Sequence, residues 1–179
     1  MNSKQSNQAL LTLVQNPQHE LSEYCMGAIG RLVELHALFY KERCGYDENF
    51  EIFVAREIAD FVEKFDSNND GLWLYKEEGT ILGSIAIDGS SRFTDGARLR
   101  FLILDESCRG KGIGRLMMRT ALTFCQARFM NKVFLWTTPA LTEARQLYEK
   151  FGFELVKEVP FQGWGAETLH QRFDLILPT

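Results

Sequence analysis

The sequence predicts an α/β (α+β) fold, a mixed sheet covered by about four helices, in a single domain over residues 25–179. Three observations lead there. The 179 residues are 45% hydrophobic and 12% aromatic, enough to bury one core and too apolar for disorder. The hydrophobic period changes from helical to alternating near Gly71. The elements then run αα, βββ, α, β, α, ββ, which is not the order of a doubly wound array.

Residues 1–24 are polar and poorly patterned, and read as a variable lead-in or weak helix. From Gly27 to Arg43, Leu32, Leu35 and Phe39, flanked by Ile29 and His36, recur at three and four, the spacing of an amphipathic helix. Gly45 is a left-handed stop and Asp47 an N-cap for the next helix, whose apolar face carries Phe50, Phe53, Val54, Ile58, Phe61, Val62 and Phe65. The polar run 66–71 is a turn. Leu72–Tyr75 and Ile81–Ile87, joined through a charged turn, read as a β-hairpin, and Leu99–Leu104 as a third strand. After the glycine-rich Arg109–Gly114 comes a helix burying Ile113, Leu116, Met117, Ala121, Phe124 and Cys125. Val133–Thr137 is a buried strand, and Ala140–Phe151 a helix striped with Ala144, Leu147, Tyr148 and Phe151. Phe153–Val159 and Leu169–Leu177 close the sheet across a Gly-Trp-Gly loop at 163–165.

Twenty basic and twenty-four acidic residues give a net charge of −4, which argues against a general nucleic-acid or membrane-surface binder. No apolar run approaches the ~18 residues of a bilayer span, and the polar N-terminus lacks the apolar region of a secretory signal. Cys25, Cys44, Cys108 and Cys125 form no C-x-x-C pair and no metal-ligand spacing with the three histidines. The expectation is a cytoplasmic, reduced protein without metal. Its charge is uneven: Arg98–Arg119 holds six basic and two acidic residues, a net of +4, leaving fourteen against twenty-two, or −8, elsewhere. Such an island suits a small polyanion.

The chemistry points to Arg109-Gly110-Lys111-Gly112-Ile113-Gly114-Arg115, between a strand and a helix start. Glycines there let backbone N–H groups converge, and the helix adds its unpaired amides and positive dipole end. That makes an anion cradle fit for a pyrophosphate. The P-loop spacing is absent, and Arg115 stands where a Rossmann fingerprint needs its last glycine. What remains is R-x-x-G-x-G after an apolar strand.

On Arg109, Gly112 and Gly114 the chain resembles the GNAT acyltransferase superfamily, whose pyrophosphate loop is [QR]-x-x-G-x-[GA]. A second stretch, Ala144-x-x-Leu147-Tyr148-x-x-x-Gly152-Phe153, is similar to that superfamily's helix-to-strand signature, and the resemblance covers about residues 25–177. The N-terminal helices resemble those of a GNAT subgroup often fused behind a MarR-type DNA-binding domain, which residues 1–25 are too few to form. Leu141 replaces an Asn that contacts the cofactor in many members, and Glu106 a common Pro; the backbone cradle needs neither side chain.

The resemblance implies a mostly antiparallel, splayed sheet and direct acetyl transfer from acetyl-CoA to the amine of a small molecule or peptide, with no metal; it implies a homodimer as well. It gives Leu102, Ile103 and Leu104 the pantetheine arm, residues 109–115 the pyrophosphate, a main-chain N–H near Leu104 the thioester carbonyl, and Tyr148 the role of general acid. A phenol with an ordinary pKa near 10 is protonated at neutral pH. On residues alone Tyr148 reads first as a core tyrosine beside Leu147 and Phe151, and the resemblance tips it to the acid. His36 is a base candidate, with Glu34, Glu42, Asp105, Glu106 or a water chain as alternatives. Phe39, Tyr40, Phe50, Trp136 and Trp164 either line an acceptor pocket or fill the core. Arg98 and Arg100, on one strand face, suit an acidic acceptor, the cofactor's phosphates or solvent. The competing reading is a non-catalytic acyl-CoA sensor or interaction module.

Overall fold

The computed structural model describes residues 19–178. In chain order the elements are β1 (His19–Ser22), α1 (Ala28–Cys44), α2 (Glu48–Glu63), β2 (Gly71–Glu77), β3 (Thr80–Asp88), β4 (Ala97–Leu104), a 3-10 turn (Glu106–Cys108), α3 (Ile113–Ala127), β5 (Lys132–Thr137), α4 (Thr142–Lys150), β6 (Glu154–Gly163) and β7 (Ala166–Ile176). The fold is mixed α/β. Seven strands form one sheet in the order β1-β2-β3-β4-β5-β7-β6, antiparallel everywhere except between β4 and β5.

Alternation along the strands sends side chains into two cores. Leu72, Leu74 and Ala86 face α1 and α2, where they meet Leu32, Leu35, Phe50, Val54, Ile58 and Phe61. Tyr75, Ile85, Ile87 and Leu99 face the other way, against Ile113, Met117, Met118, Ala121 and Cys125 of α3 and Tyr148 of α4. Asp47 caps α2 by accepting the Asn49 N–H at 3.0 Å. The expected stripe of α2 is wider than the buried one: Phe53 and Phe65 remain 39% and 40% exposed. Similarly, α3 buries Met118 and Leu122, whereas Leu116 is only half-buried.

Two differences from the sequence reading matter. His19–Ser22, within the expected lead-in, is a strand paired antiparallel to Leu74–Glu77; the rest of that lead-in, residues 1–18, lies outside the described residues. A four-residue edge strand carries almost no periodic signal of its own. The closing strands are also longer than expected, because the loop at 163–165 is a two-residue turn. Trp164 and Gly165 both have positive φ, 52° and 77°, the mirror-image geometry that matches the twist of a hairpin. The Trp164 carbonyl accepts the Asp47 N–H at 2.9 Å, so the hairpin tip is tied to the start of α2.

Candidate active site

The site begins where β4 and β5 part. They pair only at Ala97↔Val133 and Arg98↔Phe134, and beyond that point β4 keeps its β3 partner but, among the described residues, has none on the β5 side. The β4 backbone is irregular in the same stretch. Between Ser84↔Ile103 and Ala86↔Arg100 it holds one residue more than β3, and Phe101 takes φ 51°. This bulge reverses the alternation, so Leu99 and Leu102 both pack with the α3–α4 core, while Arg98, Arg100, Phe101 and Ile103 lie on the α1–α2 side. The Ser84 hydroxyl holds the bulge by donating to the Phe101 carbonyl at 2.6 Å.

The gap opens into two cavities of about 440 and 450 Å³ that share Tyr40, Leu102 and Tyr148 in their walls. The first runs from Leu102, Ile103 and Leu104 to Arg109, Gly110, Gly112, Ile113, Gly114 and Arg115. Asp105 N–H bonds across to Leu82 O at 2.7 Å, so the amide one residue earlier, at Leu104, faces the opposite, open edge. At the far end Gly112 (φ 85°) precedes α3 without any side-chain cap, and a left-handed backbone there favours glycine. The first-turn amides of Ile113, Gly114 and Arg115 have no helical carbonyl behind them. A Cβ at Gly114 would come within 3.4 Å of Leu147 and 3.6 Å of Leu104, so α3, α4 and β4 meet closely at that residue. These orphan donors above a free strand edge fit a linked pyrophosphate and amide arm.

The positive island of the sequence is divided in space. Arg109 and Arg115 line the first cavity, joined by Lys150 of α4. Arg109 also donates to Glu106 at 2.7 Å and lies 5.1 Å over the Phe39 ring. Lys111 does not line the cavity; its ammonium is 3.9 Å from Glu77. Arg98 and Arg100 belong to the second cavity. Phe39 lines the first cavity beside Arg109, while Tyr40, the next residue on α1, lines both.

The second cavity is walled by Tyr46, Phe50, Phe53, Trp136, Phe161 and Trp164, with His36 and His170 among them. His36 is 5% exposed, and burial depresses its pKa to about 4 despite a hydrogen bond to Leu32. Its Nδ1 lies 2.7 Å from Leu32 O; a carbonyl only accepts, so Nδ1 carries the proton and Nε2 the lone pair. Tyr148 is buried at the junction beside Phe153 and Phe173, and desolvation holds its phenol well above the usual value. Burial does the same to Tyr40, and the nearby Tyr148 adds to it. His170 was not singled out from sequence. It stacks on Phe161 at 3.9 Å, and burial lowers its pKa. A two-residue turn at 164–165 pairs Val159 with His170 and brings it to this wall, so reading that turn correctly would have found it. Among the described residues no cluster of three or more His, Cys, Asp or Glu could hold a metal, and no helix is long and apolar enough to cross a membrane.

Residues 33–153 match the Acetyltransferase (GNAT) family. The chain belongs to that family. Among curated relatives it is similar to an N-acetylaspartate synthetase of Xenopus tropicalis, 28% identical over 120 residues that make up 66% of this chain and 44% of the relative. It spans about half the length of the curated relatives it matches, from 30% to 59%. Solved GNAT structures share the fold over nearly their whole length. One is a GNAT acetyltransferase from Elizabethkingia anophelis with acetyl-CoA bound, with a TM-score of 0.61 at 16% identity, covering 90% of this chain and 100% of that one. Another is spermidine N-acetyltransferase from Vibrio cholerae in complex with CoA and spermine, with a TM-score of 0.67 at 18% identity, covering 90% and 96%. The glycine-rich turn, the β4 edge and Tyr148 line the first of the two cavities, and Tyr148 the second as well.

Proposed function

We propose that the protein transfers an acetyl group from acetyl-CoA directly to the amine of a small molecule or peptide. The observation that carries this reading is the meeting of the two cavities at Tyr40, Leu102 and Tyr148, with an anion cradle at the outer end of one. Acetyl-CoA supplies the activated thioester. The amides of residues 113–115 bind its pyrophosphate, with Arg109 and Arg115 beside them. The open edge of β4 at Leu102–Leu104 aligns the pantetheine arm, and the outward Leu104 amide is placed to polarise the thioester carbonyl. Holding both reactants at this junction makes the attack effectively unimolecular.

In the transfer the amine nitrogen bonds to the carbonyl carbon and the C–S bond breaks. The departing thiolate takes the Tyr148 proton, which the buried phenol retains across the neutral range until then, and the proton that the nitrogen sheds on becoming an amide restores the phenol. The amine must attack unprotonated, and a free amine with pKa ~10.4 is only about 0.04% neutral at pH 7. His36 presents a lone pair, but with its pKa near 4 it does not store a proton at neutral pH, so its role is limited to passing one on. Four free thiols support a reducing, cytoplasmic setting. The homodimer and the likeness to MarR-fused members remain expectations of sequence.

Thiol release from acetyl-CoA across a panel of amines tests the proposal. Release that requires an amine and yields the N-acetyl product is expected. Tight acetyl-CoA binding with no release for any amine would replace the enzyme with the sensor reading.

A further inference from the structure

We propose that Arg98 binds a carboxylate on the acceptor, so that the amine acetylated belongs to an amino acid or similar amino-carboxylate with an apolar body. This rests on the acetyl-transfer reading and narrows its substrate. The second cavity has one acidic and two basic side chains in its wall: Glu57, Arg98 and Arg100. Arg100 is committed. Its side chain is 11% exposed, donates to Asp88 at 3.0 Å and to Glu57, and lies over the Phe101 ring. Glu57 is therefore engaged, and the second Asp88 oxygen accepts from Ser90.

Arg98 projects from the same face of β4 two residues earlier, where β4 and β5 begin to part. Among the described residues it has no hydrogen-bond or ion-pair partner, although it is half-buried and lines the cavity. Burial and the adjacent Arg100 hold its pKa below the ordinary arginine value, while Glu57 and Asp88 act the other way. A guanidinium has five N–H donors in a planar fork, and leaving them desolvated and unpaired is costly. A carboxylate satisfies two of them in parallel. The rest of the wall is largely aromatic, which suits an apolar body beside that charge. A polycation finds the opposite: the one carboxylate among the described lining residues is already paired with Arg100.

The test uses matched acceptors that differ only at the carboxyl group: phenylalanine, phenylalaninamide and phenethylamine, with spermidine as the cationic control. Turnover is measured by thiol release, and acceptor binding to the protein–CoA complex by calorimetry. Phenylalanine should exceed its amide and phenethylamine by roughly tenfold to a hundredfold in kcat/KM, the range of a charge-assisted bidentate contact. Arg98→Met should erase that preference and Arg98→Lys keep part of it, with acetyl-CoA affinity as the control for folding. If Arg98→Met fails that control, the drop in preference in Arg98→Lys decides. Equal use of the three phenyl amines, or an unchanged preference in the variant that decides, overturns the inference and leaves acetyl transfer standing. Acetyl-CoA binding with neither turnover nor binding of any amine overturns the transfer reading itself.

Discussion

Tyr148 shows how burial makes an ordinary side chain useful. Its ring packs beside Phe153 and Phe173 at 6% exposure, and the residue lines both cavities. A phenolate there is desolvated, so the phenol keeps its proton across the neutral range. Tyr148→Phe should lower kcat on the order of a hundredfold while leaving the acetyl-CoA dissociation constant nearly unchanged. Steady-state thiol release and calorimetry on the same preparation give both numbers, and an unaltered kcat removes Tyr148 from the proton path. The core packing of this residue is compatible with the proposed acid role. His36 contrasts with it. Burial makes it a weak base, and the helix hydrogen bond that orients its ring only partly offsets this.

At the scale of elements, the α3 N-terminus and the bulged β4 divide the work. Gly112 allows the chain to enter α3 left-handed and uncapped, which leaves the first-turn amides for an anion. Gly112→Asp puts a side chain on that backbone and a negative charge at the dipole's positive end. Acetyl-CoA affinity should fall by roughly tenfold to a hundredfold, as measured by calorimetry; normal affinity would mean the pyrophosphate lies elsewhere. This element was legible in the sequence because glycines at a helix start announce their backbone. The β4 bulge was not. A left-handed bulge position usually advertises itself as glycine, whereas here Phe101 occupies it, held by Ser84 and packed on Phe61, His36 and Arg100. Nothing local to Leu99–Leu104 marks the reversal of alternation.

For the whole molecule, the gap between β4 and β5 separates two halves that meet along little pairing. The β4 half carries the cradle and α1–α2, while β5–β7 and α4 carry Tyr148. A ligand lying along the gap touches both halves and stabilises the native state alone. At a free concentration one hundred times its dissociation constant, acetyl-CoA should add about 2.7 kcal/mol. For a chain of this size that is a rise in Tm of roughly 5–10 °C. Acetyl-pantetheine, which lacks the pyrophosphate, should give little shift at the same concentration. Scanning calorimetry checks both, and equal shifts from the two ligands would take the cradle out of the binding account.

The helices, the strands from β2 onward, the glycine-rich turn before α3 and the Tyr148 stripe were legible in the amino-acid sequence by itself, since each depends on residues within about four positions of one another. The pairing at Ala97 and Arg98 that stops after two residues, the split of the basic island, the placing of Phe39 beside Arg109 and the arrival of His170 beside Phe161 were decided only in the tertiary structure. So was the isolation of Arg98. Glu57, which takes the neighbouring Arg100, lies forty-three residues away in the chain, and periodicity says nothing about which of two adjacent arginines a distant carboxylate will choose. Local patterns report backbone geometry and burial. Partner choice depends on how strands and helices far apart in sequence come to share a surface.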